Sequence, residues 1–414
     1  MATIGKDGDT RRAAPSAQWS DLPDELLEMV RSKVACPRGR LRVAAVCRSW
    51  RAAASRHPPP PALPLLLLSP CDWSTPDKHK LLYCPEDAGV LQVRLPTCLR
   101  RTWFNGSCDG GWIAAGRLRA RVIIANLFSG AQVPLSKKQR TIACPRYRGH
   151  PYLVWKTVFS EAPTSGRCLL AAITDTCNLA LCRIGCPDSG WTLDRCDKEQ
   201  LGDVAFCRGV LYGMARGSEN VFRYDIGEKE DGAPTITAAH PLNVQMRHGP
   251  GFVGRGSYDY ASYIFDLHGK LAMAVMIKWS GNCQPFFKVF ELAEADDADS
   301  DAAHDYKWVE VQSLGDYALF LGLASSSRAV HVPGGGRGGV NKNHIYYSNR
   351  RCLSINTDKK FDGKAYLTRS IGGNRMYCKE DQDTDYGVVE KIPSLGYHVI
   401  GGPYPPVWCL PPGF

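Results

Sequence analysis

The sequence contains no apolar run approaching the roughly 18 to 20 residues that a membrane-crossing helix needs. Its nearest candidate, Leu63 to Leu68, contains Pro64 and is fenced by Pro58-Pro59-Pro60-Pro61 and Pro70. The opening stretch MATIGKDGDTRRAAPSAQ lacks the apolar core of a secretory signal. Together these point to a soluble chain of the cytoplasm, the nucleus or both, with no membrane partner. There are 17 cysteines but no Cys-x-x-Cys pair. The tightest cluster, Cys177, Cys182, Cys186 and Cys196, has no matching histidine pair and alternates with apolar residues, so buried free thiols are expected rather than a metal site. The ten histidines are scattered, and no Gly-x-Ser-x-Gly, His-Glu-x-x-His or paired-carboxylate motif occurs. No catalytic residue, metal or cofactor is therefore expected, although catalytic sets assemble from distant residues.

The formal net charge of +10 reads as spread thinly over 414 residues, with 11 Lys and Arg against 6 Asp and Glu in residues 1–57. A nucleic-acid binder would show a denser basic stripe interleaved with aromatics, so nucleic acid is not an expected partner. Two conspicuous stretches carry little. Gly334-Gly335-Gly336-Arg337-Gly338-Gly339 runs into the strand-like His344 to Ser348, not into the Gly-Lys-Ser/Thr and helix of a phosphate loop. The acidic run Glu291 to Asp305 lacks the glycine and terminal glutamate of a calcium loop and reads as a solvated insertion between two strands.

What the chain does have changes texture near residue 60. Residues 1–18 read as a disordered leader, 19–57 as a compact helical segment and 58–64 as a proline-rich linker. From 65 to 414 short Val, Ile, Leu, Tyr and Phe runs alternate with Gly, Pro, Asp and Asn clusters, the pattern of many short strands. Two echoes suggest repetition. Trp191-Thr192-Leu193 with Leu201-Gly202-Asp203 resembles Trp308-Val309-Glu310 with Leu314-Gly315-Asp316. Phe206 to Met214 resembles Phe265 to Met273, each with a glycine placed for a hairpin turn entering an inner strand. Units of about 40 to 60 residues are what a β-propeller repeats. The expected architecture is α+β and multidomain: a small helical module, then a large all-β domain, a propeller of six or seven blades.

In the helical segment Pro23 suits the first position of a helix, with Asp21, Asp24 and Glu25 at its positive end. Leu22, Leu26, Met29 and Val30 fall on one face, flanked by Leu27. After the breakers Pro37 and Gly39 a second helix is expected from about Leu41 to Arg56, with Val43, Val46, Cys47, Trp50 and Ala54 at three- and four-residue spacing. Fewer than 40 residues bury two such faces poorly alone, so another surface must cover part of them.

Leu22-Pro23-Asp24-Glu25-Leu26-Leu27-Glu28-Met29-Val30, followed by Val43-Ala44-Ala45-Val46-Cys47-Arg48-Ser49-Trp50-Arg51, resembles an F-box. The resemblance implies a Skp-type adaptor as partner and, through it, a cullin-RING ubiquitin ligase. Residue by residue it assigns Leu22, Pro23, Leu26, Leu27 and Val30 to a first contact helix and Val43, Val46, Cys47 and Trp50 to a second. The middle segment Lys33 to Gly39 departs from the family pattern. Lys307 to Val311 with Leu314 to Gly322, Asn343 to Tyr347, and Pro405 to Pro411 are similar to the KIB-type β-propeller domain of plants, long classed as a domain of unknown function. The function these resemblances imply is recruitment of a target protein for ubiquitin transfer, without chemistry by this chain. The alternative is a non-catalytic propeller scaffold acting through no ligase. Candidate aromatic anchors for the target are Trp103, Tyr258, Tyr260 and Trp279.

Overall fold

The computed structural model describes residues 19–34, 37–56, 62–68, 79–117, 121–143, 153–174, 179–194, 199–216, 220–245, 258–279, 285–295, 305–332, 334, 338–350, 366–372, 375–378, 387–390, 392–400 and 405–412. The expected leader 1–18, the prolines 58–61, the centre of the glycine loop at 335–337, and Cys177 and Cys196 lie outside the described residues. The chain divides between Pro61 and Ala62 into two compact units.

In the first unit a 3-10 turn at Trp19–Asp21 leads into α1 (Asp24–Lys33). The single helix expected over 41–56 is two helices, α2 (Pro37–Ala45) and α3 (Arg48–Arg56). Pro37 opens α2 instead of breaking it, because a proline at the first helical position forfeits no hydrogen bond there. The break falls at Val46-Cys47, and the Cys47 carbonyl accepts the Arg51 amide at 3.1 Å to begin α3. Pro23 stands one place earlier than expected, as the cap of α1, its carbonyl taking the amides of Leu26 and Leu27 at 3.1 Å.

In the second unit strands pair into sheets in chain order. The first holds β1 (Leu65–Leu68), β2 (His79–Cys84) and β3 (Gly89–Arg94), and the second β4 (Thr102–Cys108), β5 (Trp112–Arg117) and β6 (Arg121–Asn126). The third holds β7 (Val154–Phe159), β8 (Leu169–Thr174), β9 (Leu179–Arg183) and β10 (Thr192–Asp194). The fourth holds β11 (Leu201–Cys207), β12 (Val210–Ala215), β13 (Val221–Glu228) and β14 (Pro234–Pro241). In the fifth, β15 (Val244–Gln245) joins in parallel an antiparallel set of β16 (Tyr258–Leu267), β17 (Lys270–Trp279), β18 (Phe286–Glu294) and β19 (Tyr306–Glu310). The sixth mixes directions: β20 (Tyr317–Gly322), β21 (Arg328–His331), β22 (His344–Arg350), β23 (Tyr366–Gly372) and, beyond the ribbon of β24 (Arg375–Cys378) and β25 (Gly387–Glu390), β26 (Ser394–Ile400), with β20, β22 and β26 parallel. Last comes β27 (Val407–Cys409), which pairs with β1 and so completes the first sheet with the end of the chain.

The leading strands of these sheets are neighbours: β27 beside β4, then β7, β11, β16 and β21, while β20 lies beside β27. The described sheets therefore follow one another in a closed ring, as in a β-propeller. Closure rests on Trp408. It is fully buried, its indole N–H donates to the Leu321 carbonyl at 2.8 Å, and its ring meets Phe320 and Tyr397 edge-on at 5.0 and 5.6 Å.

The echoes resolve differently. Arg208-Gly209 and His268-Gly269 both have φ between 48° and 78° at the two central positions, the geometry of tight two-residue hairpins. They leave the leading strand of a sheet and enter the strand next to it, β12 or β17, which is paired on both sides. The tryptophans of the other echo do sit on or at comparable outer strands, β10 and β19. Its Leu-Gly-Asp parts do not match: Leu201-Gly202-Asp203 is bulged strand with Asp203 buried, whereas Leu314-Gly315-Asp316 is a turn with Asp316 exposed and bound to Lys342 at 2.6 Å. Bulges and turns shift the side-chain parity that a sequence repeat assumes.

Of the expected thiols, Cys182 is buried in the third sheet and pushed by that burial up to about 12, so it stays protonated. Among the described residues no helix is long and apolar enough to cross a membrane. Trp408→Ala should lower stability by about 3–5 kcal/mol, the usual cost of emptying a buried indole site. Urea unfolding of the two chains measures it, and an unchanged midpoint would remove Trp408 from ring closure.

Candidate binding surfaces

In the first unit a small core decides which apolar side chains remain outside. Leu27 is 3 % exposed and packs with Trp50 and Ala53, with Leu22, Val30, Val43 and Cys47 half-buried around them. The Trp50 indole N–H donates to the Trp19 carbonyl at 2.9 Å and the Ser49 hydroxyl to the Ser20 carbonyl at 3.0 Å, strapping the first turn to α3. Arg56 and Asp24 form an ion pair between the far ends of α3 and α1. Both partners are about half exposed, so the pair adds little stability. The Ser49 hydroxyl, 3.0 Å from Cys47 Sγ, holds that thiol below its ordinary value.

The inward face of α1 is thus turned from the one the spacing suggests, keeping Leu22 and Val30 but taking Leu27 in place of Leu26 and Met29. Leu27, Val30 and Arg31, at i, i+3 and i+4, point inward, and Leu26 and Met29 point to solvent, Leu26 being 43 % exposed. Of the nine residues matched to the adaptor contact, Leu27 and Trp50 are core. Leu22, Val30, Val43 and Cys47 are its margin, and Pro23, Leu26 and Val46 are exposed. Trp19 and Met29, outside that set, are also strongly exposed. Trp19, Leu26, Met29 and Val46 thus leave large apolar surface in water on a small unit.

In the second unit, polar groups fix how neighbouring sheets lie. Asn105 on β4 donates to the Val154 carbonyl on β7 at 3.2 Å, and further along Cys108 reaches the Glu161 carbonyl at 3.7 Å, so the two strands run the same way. Lys156 on β7 pairs with Asp203 on β11, both almost fully buried. Asp203 also accepts the Val204 amide at 2.8 Å and the Ile264 amide of β16 at 3.0 Å. Burial pushes the Asp203 carboxyl above its ordinary range, and the Lys156 ammonium draws it back. A Cβ on Gly106 would stand 2.3 Å from the Thr157 carbonyl, so only glycine lets β4 and β7 approach this closely.

The starts of these leading strands define one rim. Tyr258 and Tyr260 lie on it at the start of β16, and the register sets Trp279, the end of β17, opposite Tyr258. Their side chains are outside the described residues. Trp103, at the start of β4, is not a surface anchor: it is 7 % exposed, its ring filling the space over Gly116. The exposed tryptophan is Trp155, 66 % open, at the start of β7. It is the extra residue of a bulge, for Val154 and Lys156 pair with successive residues of β8 and Trp155 with none. Alternation along the sequence cannot reveal it, because the bulge breaks the alternation.

Residues 81–389, well over half of the chain, match the family described as KIB1-4 beta-propeller, and residues 19–57 match the F-box-like family. An Arabidopsis thaliana protein carrying the name "Putative F-box protein" is 22 % identical over 337 residues, covering 81 % of this chain and 86 % of its own. Among solved structures, the N-terminal domain of Nup159 aligns with TM-score 0.30 at 7 % identity, over 56 % of this chain and 58 % of that one. The dihydro-heme d1 dehydrogenase NirN aligns with TM-score 0.27 at 13 % identity, over 66 % and 57 %.

Core and surface separate by mutation. Trp50→Ala should destabilise the first unit by about 3–5 kcal/mol, whereas Leu26→Asp should leave its unfolding within about 0.5 kcal/mol of wild type. Circular dichroism melts of both chains distinguish the two, and equal losses would mean that Leu26 is a core residue. Gly106→Ala should cost about 1–3 kcal/mol in urea unfolding, because β4 and β7 must separate to admit the methyl. A neutral result would show that the contact has slack.

Proposed function

The chain belongs to the KIB1-4 β-propeller family, and on that premise we propose that it is the substrate-recruiting subunit of a Skp-cullin-F-box ubiquitin ligase. The F-box-like unit docks the Skp-type adaptor, and the propeller holds the protein to be ubiquitinated. The chain contributes position and no chemistry, and it works in the cytoplasm, the nucleus or both.

The observation that carries this reading is the exposure of Leu26, Met29 and Val46 on a unit whose own core is already filled by Leu27, Trp50 and Ala53. Burying a large apolar side chain completely contributes about 1.5–3 kcal/mol, so several of them against an adaptor groove support a stable contact. Leu22, Val30, Val43 and Cys47 then act mainly by shaping the face, and Pro23, Leu26 and Val46 by touching the partner.

The purified chain should bind a Skp-type adaptor, and Leu26→Asp/Val46→Asp should weaken that binding at least about tenfold, a loss of about 1.4 kcal/mol, while the melt stays unchanged. Reconstituted with cullin, RING subunit and charged conjugating enzyme, the wild type should promote ubiquitin transfer to proteins it retains from extract. Failure of a folded wild-type chain to bind any adaptor would sink the receptor reading and leave a propeller scaffold independent of a ligase.

A further inference from the structure

Contrary to the even spread that the whole-chain value suggests, one stretch of the second unit carries a dense surplus of positive charge with no acid to balance it. Between Asp109 and Glu161 the sequence has no Asp or Glu and nine Lys and Arg, against +10 for the entire molecule. The fold gathers part of it, with Arg101, onto one edge of the second sheet. Arg101 directly precedes β4. Thr102 pairs with Arg117, Arg117 lies directly opposite Arg121, and Arg121 is bridged to Thr141, the residue after Arg140. Strands stand about 4.8 Å apart, so Arg117 and Arg121 face one another at the rim, with Arg101 and Arg140 each one residue beside that line on the flanking segments.

All four arginines are exposed, and among the described residues none is paired with a carboxylate. Arg140 uses only its Nε, on the Leu135 carbonyl at 2.9 Å. Elsewhere in the unit cations find partners, as in Arg183 with Glu228 at 2.8 Å and Lys342 with Asp316 at 2.6 Å. Like charges directly opposite one another destabilise a sheet. A cluster of unneutralised guanidiniums kept on one edge is complementary to anions, and the planar fork of arginine matches carboxylates in pairs.

The next sheet supplies an apolar feature on the same rim. Leu153 and Trp155 are both exposed at the start of β7, whose Val154 carbonyl is held by Asn105 of β4. We propose that this rim is a docking surface for an extended acidic segment of a partner protein. Its carboxylates lie along Arg101, Arg117, Arg121 and Arg140, and an apolar side chain rests on Leu153 and Trp155. The guanidinium cluster alone would suit nucleic-acid phosphates equally; the aliphatic and aromatic pair beside it favours a peptide. This deepens the receptor reading and rests on it, by giving the recruited protein a chemistry.

The test uses the full chain and a fluorescein-labelled peptide of about a dozen residues, glutamates around a central Leu-Phe pair, with a glutamine version as control. The glutamate peptide should bind, more weakly as salt rises, and at least about tenfold more tightly than the glutamine peptide. Arg117→Glu/Arg121→Glu and, separately, Trp155→Ala should each weaken it by about tenfold, with melts and adaptor binding unchanged. No binding by the wild type overturns the proposal, as does equal binding of the glutamine peptide or unaltered binding by folded variants. So does binding of single-stranded DNA in preference to the peptide, which would make the cluster a nucleic-acid surface. If the wild type discriminates the peptides yet binds no adaptor, the receptor reading fails and the acidic-segment surface stands.

Discussion

The second unit depends on a closure made by three residues. A ring of sheets is stable only when its last element reaches its first, and here Val407–Cys409 supplies the leading strand of a sheet begun at Leu65. A loop of this size costs roughly 5 kcal/mol in chain entropy, since the cost grows only with the logarithm of length. Two strand pairings alone do not outweigh that comfortably. The buried indole of Trp408, hydrogen-bonded to Leu321 and set among Phe320 and Tyr397, adds the packing that does. Because the contact joins residues far apart in sequence, it carries a closure cost that local hairpins such as β11–β12 and β16–β17 do not.

Once closed, the ring brings polar groups of adjacent leading strands together out of water. The Lys156–Asp203 pair and the Ile264 amide tie β7, β11 and β16 into one arrangement. Such a pair contributes modest net stability, because both charges lose their hydration, but removing either partner alone leaves a buried charge uncompensated. Its larger consequence is geometric. It fixes the height of β7 against β11, and with it the rim position at which the Trp155 bulge opens to solvent.

The two units present different kinds of surface. The helical unit offers apolar side chains left over from a core too small to hold them, which suits a permanent protein contact. The propeller rim offers charge arranged on rigid strands with an apolar neighbour, which suits selective recognition and fast encounter more than raw affinity. The proposed receptor role needs both: one contact that stays and one that discriminates.

The sequence by itself determined the division into a helical and a β unit, the three-residue and four-residue spacing of the F-box pattern, and the two tight hairpins, since each follows from local preferences of a few residues. Arg208-Gly209 and His268-Gly269 announce their turns because glycine accepts positive φ. Only the tertiary structure decided which side chains point where. Leu27 and Leu26 are neighbours of equal hydrophobicity, yet Trp50 covers one and leaves the other in water. Trp103 and Trp155 look alike as candidates, but the first has Gly116 beneath it and the second sits on a bulge. Arg101, Arg117, Arg121 and Arg140 come to one edge of a sheet only through strand register. Burial and alignment depend on what the rest of the chain places alongside a residue, and no local pattern carries that information.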